Sequence, residues 1–276
     1  MHKAIICFYL VCILAAQDVK TLAKSPLIND GMFVGKSGTI YTTVGGLRGG
    51  TQIGKVTPEG EVSVLSGGFS GTIDVYTDDE KTFYATNYDD NTVKRYDSAS
   101  GKVVTIAEQL DGPASIARGK DGAFYISCFG APPAYSGHTI VRLDPKSGKQ
   151  SIFVESPLLF RPQGIVYDNG SFYVMNSPGG RMFRISESGK QIDNFTFIGA
   201  PIGNIVKKGS LFFGSSNRGN QLYVIDQHGN YMTLSGNGEP KTVDGSLETA
   251  QFFSPLGLAL SPDGSLLYVA QSMDGV

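Results

Sequence analysis

Four oxygen-bearing side chains in the first third of the chain, Asp30, Asp74, Asn87 and Asp89, are of the type that holds a hard cation. Ca²⁺ takes about six to eight oxygen ligands and Mg²⁺ a smaller octahedral set, so these residues would hold one divalent cation, Ca or Mg. The same residues also suit turns: Asp89-Asp90-Asn91 is a run of turn formers, and Asp30 stands where a strand begins. A second candidate is His138, ten residues after Cys128. A base beside a thiol supplies the ingredients of nucleophilic catalysis; a buried thiol near a loop histidine is the other reading. A third set is neutral: Asn87, Gln163, Asn176, Ser215 and Gln271 could hydrogen-bond a ligand, with Asp30 and Asp74 beside them, or could hydrate a water-filled channel.

What must position these residues is a repeat. One unit recurs as SGTIYTTV from Ser37, DEKTFYATN from Asp79, DGAFYISC from Asp121, NGSFYVMN from Asn169, GSLFFGSS from Gly209 and DGSLLYVAQ from Asp263. Aligning the copies puts Tyr41, Tyr84, Tyr125, Tyr173, Phe212 and Tyr268 in register, at spacings of 43, 41, 48, 39 and 56 residues. Four-stranded propeller blades repeat every 40–50 residues or so. The longer gaps hold visible insertions, APPAYSGH after Gly130 and a GNGEPKTVDGSLETA loop after Ser235. Each unit continues as strand, Gly-containing turn and strand, as in VKRYDSASGKVVTI. The expected fold is all-β: a six-bladed β-propeller of four-stranded antiparallel blades, the sixth incomplete at the C-terminus.

Blade boundaries follow at roughly 27–70, 71–112, 113–159, 160–201, 202–252 and 253–276, within one domain spanning 17–276. In a propeller, first strands begin and second strands end on the same face, the mouth. The first ring there reads Asp30, Ile73, Ala114, Gln163, Ile202 and Leu256, with Asp74 and Ser115 polar one step on. The second reads Val44, Asn87, Cys128, Asn176, Ser215 and Gln271. His228 falls in a turn on the opposite face.

Composition narrows the class. Charged residues make up 17% and the formal net charge is −2, so a disordered chain and a basic nucleic-acid-binding face are both excluded. Residues 1–16 read as a signal peptide, with cleavage as late as 23: His2 and Lys3 precede an apolar run from Ile5 to Ala16. That run is shorter than the ~20 residues of a comfortable membrane span, so a secreted or periplasmic protein without a stable membrane anchor is expected. Of three cysteines only Cys128 lies beyond that run, which leaves no intramolecular disulfide. Asn169-Gly170-Ser171 and Asn194-Phe195-Thr196 fit the N-glycosylation pattern.

The last unit resembles an NHL repeat, through Gly236, Gly238, Asp244-Gly245, Ala250-Gln251-Phe252, Pro255 to Leu258, Asp263-Gly264 and Leu267 to Ala270, with Gln271 where such repeats usually carry Asp. As a set the units resemble the gluconolactonase and senescence-marker-protein superfamily. That resemblance implies a propeller holding one divalent metal on its axis. The corresponding Pro-x-Gly sites are Pro162-Gln163-Gly164, Pro201-Ile202-Gly203 and Pro255-Leu256-Gly257, of which only Gln163 could reach a metal. Asn29-Asp30-Gly31 resembles a substrate-contacting motif of that family, in a different blade order. Two functions are therefore expected: binding of a small-molecule or protein partner at the polar mouth, or metal-assisted lactone hydrolysis.

Overall fold

The structure is a computed structural model that describes residues 18–43 and 50–271. Val44 and the expected signal peptide lie outside the described residues. Five four-stranded antiparallel sheets follow one another in chain order. The first is Met32–Val34, Ile40–Thr42, Gln52–Val56 and Val62–Gly67; the second is Thr72–Thr77, Thr82–Asn87, Thr92–Asp97 and Lys102–Ala107. The third is Pro113–Arg118, Phe124–Cys128, Thr139–Leu143 and Gln150–Glu155; the fourth is Pro162–Asp168, Ser171–Asn176, Arg181–Ser186 and Ile192–Phe197. The fifth is Asn204–Lys208, Leu211–Ser216, Gln221–Ile225 and Tyr231–Ser235. Pro255–Leu260 and Leu267–Gln271 pair as a two-stranded sheet. The inner strands touch in cyclic order, and Pro255–Leu260 packs on Asn204–Lys208 at one side and Met32–Val34 at the other. The molecule is a β-propeller.

The apolar–aromatic pair in each repeat, Phe-Tyr in the second, third and fourth blades, explains why the sheets stack. Alternate residues of a strand point to opposite faces, so Phe and Tyr of one second strand face different neighbours. Tyr41 meets Phe83 at 4.7 Å between ring centroids, Tyr84 meets Phe124 at 4.7 Å, Tyr125 meets Phe172 at 4.2 Å and Tyr173 meets Phe212 at 4.6 Å. Each tyrosine thus contacts the phenylalanine of the next blade. Such pairs add about 0.5–1.5 kcal/mol beyond the area they bury.

This geometry corrects the register of the fifth blade. Phe213 pairs with Val206 as Tyr84 pairs with Tyr76, so Phe213, not Phe212, is the counterpart of the tyrosines. Phe212 takes the phenylalanine role. The fifth blade therefore contributes Gly203 rather than Ile202 to the first ring, and Ser216 rather than Ser215 to the second. A Phe-Phe pair without a tyrosine leaves the frame undecided until strand pairing settles it.

Among the described residues, the N-terminal segment does not complete a blade. Asp18–Val19 pairs with Gly245–Ser246 in the loop before the two-stranded sheet, and Thr21 donates through N–H and hydroxyl to Asp244, at 2.9 and 2.7 Å. Val19 joins the apolar cluster between the fifth blade and the two-stranded sheet, while Ala23 and Ile28 join the cluster between that sheet and the first blade.

Candidate functional site

The mouth is built where inner strands begin, and its geometry follows from a bulge. In the second and third blades the register shifts between Thr72 and Val75 and between Pro113 and Ile116. A bulge strands backbone N–H groups that the ladder would otherwise pair. Hydroxyls of the second strand accept them: Asp74 N–H donates to Thr86 Oγ1 at 3.0 Å, and Ser115 N–H to Ser127 Oγ at 3.1 Å. Each hydroxyl then donates onward to the next blade, Thr86 to Ala114 O and Ser127 to Gln163 O. Thr43 reaches Ile73 O at 2.8 Å, and Ser215 reaches Leu256 O. This row of Thr43, Thr86, Ser127 and Ser215 ties neighbouring blades at the axis. Its signal in the sequence is a hydroxyl residue near the end of a second strand.

Asp74 does the same work with a carboxylate. It is buried, and its two oxygens accept Val75 N–H at 2.9 Å and Ile116 N–H of the next blade at 3.0 Å. Burial pushes its carboxyl up to about 6, against the backbone donors and the Ser115 hydroxyl, which favour the ionised form. Asn204 occupies the equivalent place in the fifth blade, and its Oδ1 accepts Ile205 N–H at 2.7 Å. The one-residue slip in that blade hid Asn204 from the sequence reading.

The cation set comes together only in part. Asp30 and Asp74 do share the mouth, because Gly31 N–H donates to Ile73 O at 2.8 Å across the blade boundary. Asn87 is fully buried, with Oδ1 accepting Ser70 N–H at 3.0 Å and Nδ2 donating to Ala85 O at 2.9 Å. Asp89 is exposed on the following turn. Among the described residues, no three His, Cys, Asp or Glu side chains cluster as a metal site. With Asp74 and Asn87 already holding backbone donors, these four residues do not fit a cation's demand for several free oxygens.

The neutral residues divide as clearly. Gln271 accepts Phe253 N–H at 3.0 Å and donates to Thr242 at 3.2 Å, so it fastens a loop. Asn176 donates to Leu158 O at 2.8 Å, while its buried Oδ1 has no hydrogen-bond partner. The half-exposed Gln163 amide lies beside Gly203, with Nε2 and Oε1 at 3.8 and 4.0 Å from where a Cβ would stand. That position is filled rather than open, since the same Cβ would stand 2.9 Å from Leu256 Cδ2. The Gln163 amide makes no side-chain hydrogen bond of its own among the described residues.

Cys128 and His138 do not form a catalytic pair in this arrangement. Cys128 is fully enclosed, and burial pushes its thiol up to about 12, so it is protonated at neutral pH. His138 is exposed and turned to Ser136 O at 3.1 Å and Glu155 at 3.3 Å. His228 lines a groove between the fourth and fifth blades with Asp168, Asn169, Arg184 and Lys207, at the turns opposite the mouth.

No family model and no curated protein matches this chain. Solved structures do match it. A gluconolactonase from Xanthomonas campestris aligns with TM-score 0.72 and 16% identity, over 91% of this chain and 86% of its own. The calcium-binding protein regucalcin of Agrobacterium tumefaciens aligns with TM-score 0.69 and 17% identity, over 90% and 84%. The fold is that of the gluconolactonase-like propellers. An auxiliary nutrient binding protein of Bacteroides thetaiotaomicron shares it too, with TM-score 0.67 and 14% identity over 88% and 67%. At these identities the likeness is one of fold, and one fold serves enzymes and binding proteins alike.

Proposed function

We propose that this chain is an exported, six-bladed propeller domain that binds a neutral, hydroxyl-rich small molecule at the mouth of its axis. The observation that carries the reading is the Gln163 amide, half-exposed at the rim with no side-chain hydrogen bond of its own among the described residues. An amide offers a donor and an acceptor together, which suits a hydroxyl group. Asp30 and Asn204, half-exposed on the same rim, would give further polar contacts. Asp74, Asn87, Ser215 and Gln271 act behind them as residues that hold the rim in shape. The nutrient-binding neighbour supports a binding role; the apolar run at residues 5–16 supports export.

A metal-assisted lactonase is the second reading, favoured by the likeness to a gluconolactonase. It requires a cation to polarise the lactone carbonyl, and both Asp74 oxygens already accept a backbone amide, which leaves the carboxylate fewer lone pairs to offer one. One experiment separates the readings. D-glucono-1,5-lactone and a panel of neutral sugars are titrated into the protein with Ca²⁺ or with EDTA, while lactone hydrolysis is followed. Saturable binding in EDTA, weakened about tenfold by Gln163→Ala as expected for a lost hydrogen bond, with hydrolysis at the spontaneous rate, supports the binding reading. Cation-dependent hydrolysis abolished by Asp74→Asn would replace it with the lactonase. Binding that Gln163→Ala leaves intact would remove Gln163 from the site.

A further inference from the structure

Away from the axis, on the mouth side of the fourth blade, lies a pocket of about 370 Å³. Asn176 and Phe183 form its floor, Leu158 and Phe160 come from the connection between the third and fourth blades, and Arg181 and Phe197 stand on the outer strands. Two features set this pocket apart from the rest of the surface. The first is the Asn176 Oδ1. The residue is 4% exposed, its orientation is set by the Nδ2 bond to Leu158 O, and the oxygen accepts nothing. Its counterpart Asn87 shows what a satisfied amide looks like here, with Oδ1 taken by Ser70 N–H. Buried acceptors are seldom left without a donor.

The second feature is the wall. Phe83, Phe124, Phe172 and Phe212 are sealed between blades, yet Phe160 and Phe197 are 47% and 54% exposed, and Leu158 49%. Three large apolar groups gathered around one concavity are the lining that small-molecule sites use. Arg181 lies over the Phe197 ring at 4.8 Å and gives one N–H to Asn194 Oδ1 at 3.1 Å. No carboxylate of the described residues forms an ion pair with it. Its remaining donors are a ready fork for a carboxylate.

We propose that this pocket is a second binding site, distinct from the axial mouth, for an aromatic carboxylate that also carries a hydroxyl or N–H donor. The ring packs among Leu158, Phe160 and Phe197, the carboxylate meets Arg181, and the donor reaches Asn176 Oδ1. Its volume falls within the range of about 300–1,000 Å³ usual for small-molecule pockets.

The test uses 3-(4-hydroxyphenyl)propanoate as probe, titrated into the full chain by calorimetry. 4-Propylphenol lacks its carboxylate and 3-phenylpropanoate lacks its hydroxyl. The acid is expected to saturate at submillimolar concentration and each analogue to bind roughly tenfold more weakly, a tenfold change per lost polar contact. Arg181→Met should erase the preference for the acid over 4-propylphenol, and Phe197→Ser should weaken all three. Both residues are exposed, and unchanged thermal midpoints will show that the variants fold. Absence of saturation up to about 10 mM, well beyond the affinity two such contacts should give, overturns the proposal. So does binding that survives both variants, or that disappears in Gln163→Ala, which would put the probe at the axis. Survival of probe binding in Gln163→Ala is expected whether or not the axial reading holds.

Discussion

Around the axis the blades meet in two ways. Between the second and third blades a polar side chain fills the gap: the Asp74 carboxylate bridges its own strand and the Ile116 amide of the next. Where the two-stranded sheet meets the first blade there is no gap to fill. A Cβ on Gly257 would stand 1.9 Å from Asp30 O, and, where the first blade meets the second, one on Gly31 would stand 2.4 Å from Ile73 O. Gly31, Asp74, Asn204 and Gly257 hold equivalent positions, each two residues before the inner-strand residue that pairs with Tyr41, Tyr84, Phe213 or Tyr268. The same structural problem, strand starts crowding an axis, is met by a hydrogen-bonding side chain where strands stand apart and by glycine where backbones nearly touch. Rigidity at the mouth therefore comes from chemistry on one arc and from close contact on the other.

The largest expected effect lies on the glycine arc. Gly257→Ala must displace backbone, not a flexible side chain, and is expected to cost about 3 kcal/mol or more, measured as the shift in urea midpoint. A cost below about 1 kcal/mol would mean that the strands can part, and the contrast between the arcs would fail.

Next comes pH dependence on the polar arc. Between about pH 4 and pH 6 the native Asp74 keeps a proton that the unfolded chain has already released. Raising the pH through that window therefore lowers stability, and the loss is complete above the native value. At ~1.4 kcal/mol per pH unit, the window is worth roughly 2–3 kcal/mol. Carboxylates such as Asp121 and Asp263, whose native values are lowered, act in the opposite direction at lower pH. The clean readout is the stability difference between wild type and Asp74→Asn, measured from pH 4 to pH 7. The wild type should lose ground as pH rises, and a flat difference would mean that Asp74 titrates as an exposed carboxylate does.

Ser127→Ala sharpens the comparison at a smaller scale. It removes the bond to Gln163 O and leaves the Ser115 amide without its acceptor. A loss of about 1–2 kcal/mol is expected, and an unchanged midpoint would show that water takes over both roles. Gln163→Ala should be the mildest of the set. Its amide has no bond to lose, so stability should change by less than about 0.5 kcal/mol. A larger loss would make Gln163 part of the scaffold and undercut its place in the binding site.

These contrasts mark how far the site was legible in sequence. The propeller was readable because the aromatic strand recurs every 40–50 residues or so, and the FY pairs contact as an alternating strand requires. Asp74 was readable as a polar exception among apolar strand starts. Its partner was not, since Ile116 lies 42 residues away and donates through its backbone, where residue type leaves no mark. Gln163 and Asn176 both stood out as amides at strand ends. Nothing in their identity separates the half-exposed one from the one with a buried, unpaired oxygen. Ser215 was placed in the wrong ring because GSLFFGSS carries two phenylalanines and two serines, and a one-residue shift reads as well as the true frame.

What this sequence by itself determined is the periodic part: the number and order of aromatic strands, the turns that join them, and the alternation that lets each sheet bury both faces. Those are local properties, set by residue type and by the two-residue period of a strand. What only the tertiary structure decided is which polar groups at the mouth are free. That depends on which backbone donor from the next blade arrives within about 3 Å of each oxygen, and such a distance is set by how the sheets pack around the axis, not by any one stretch of chain.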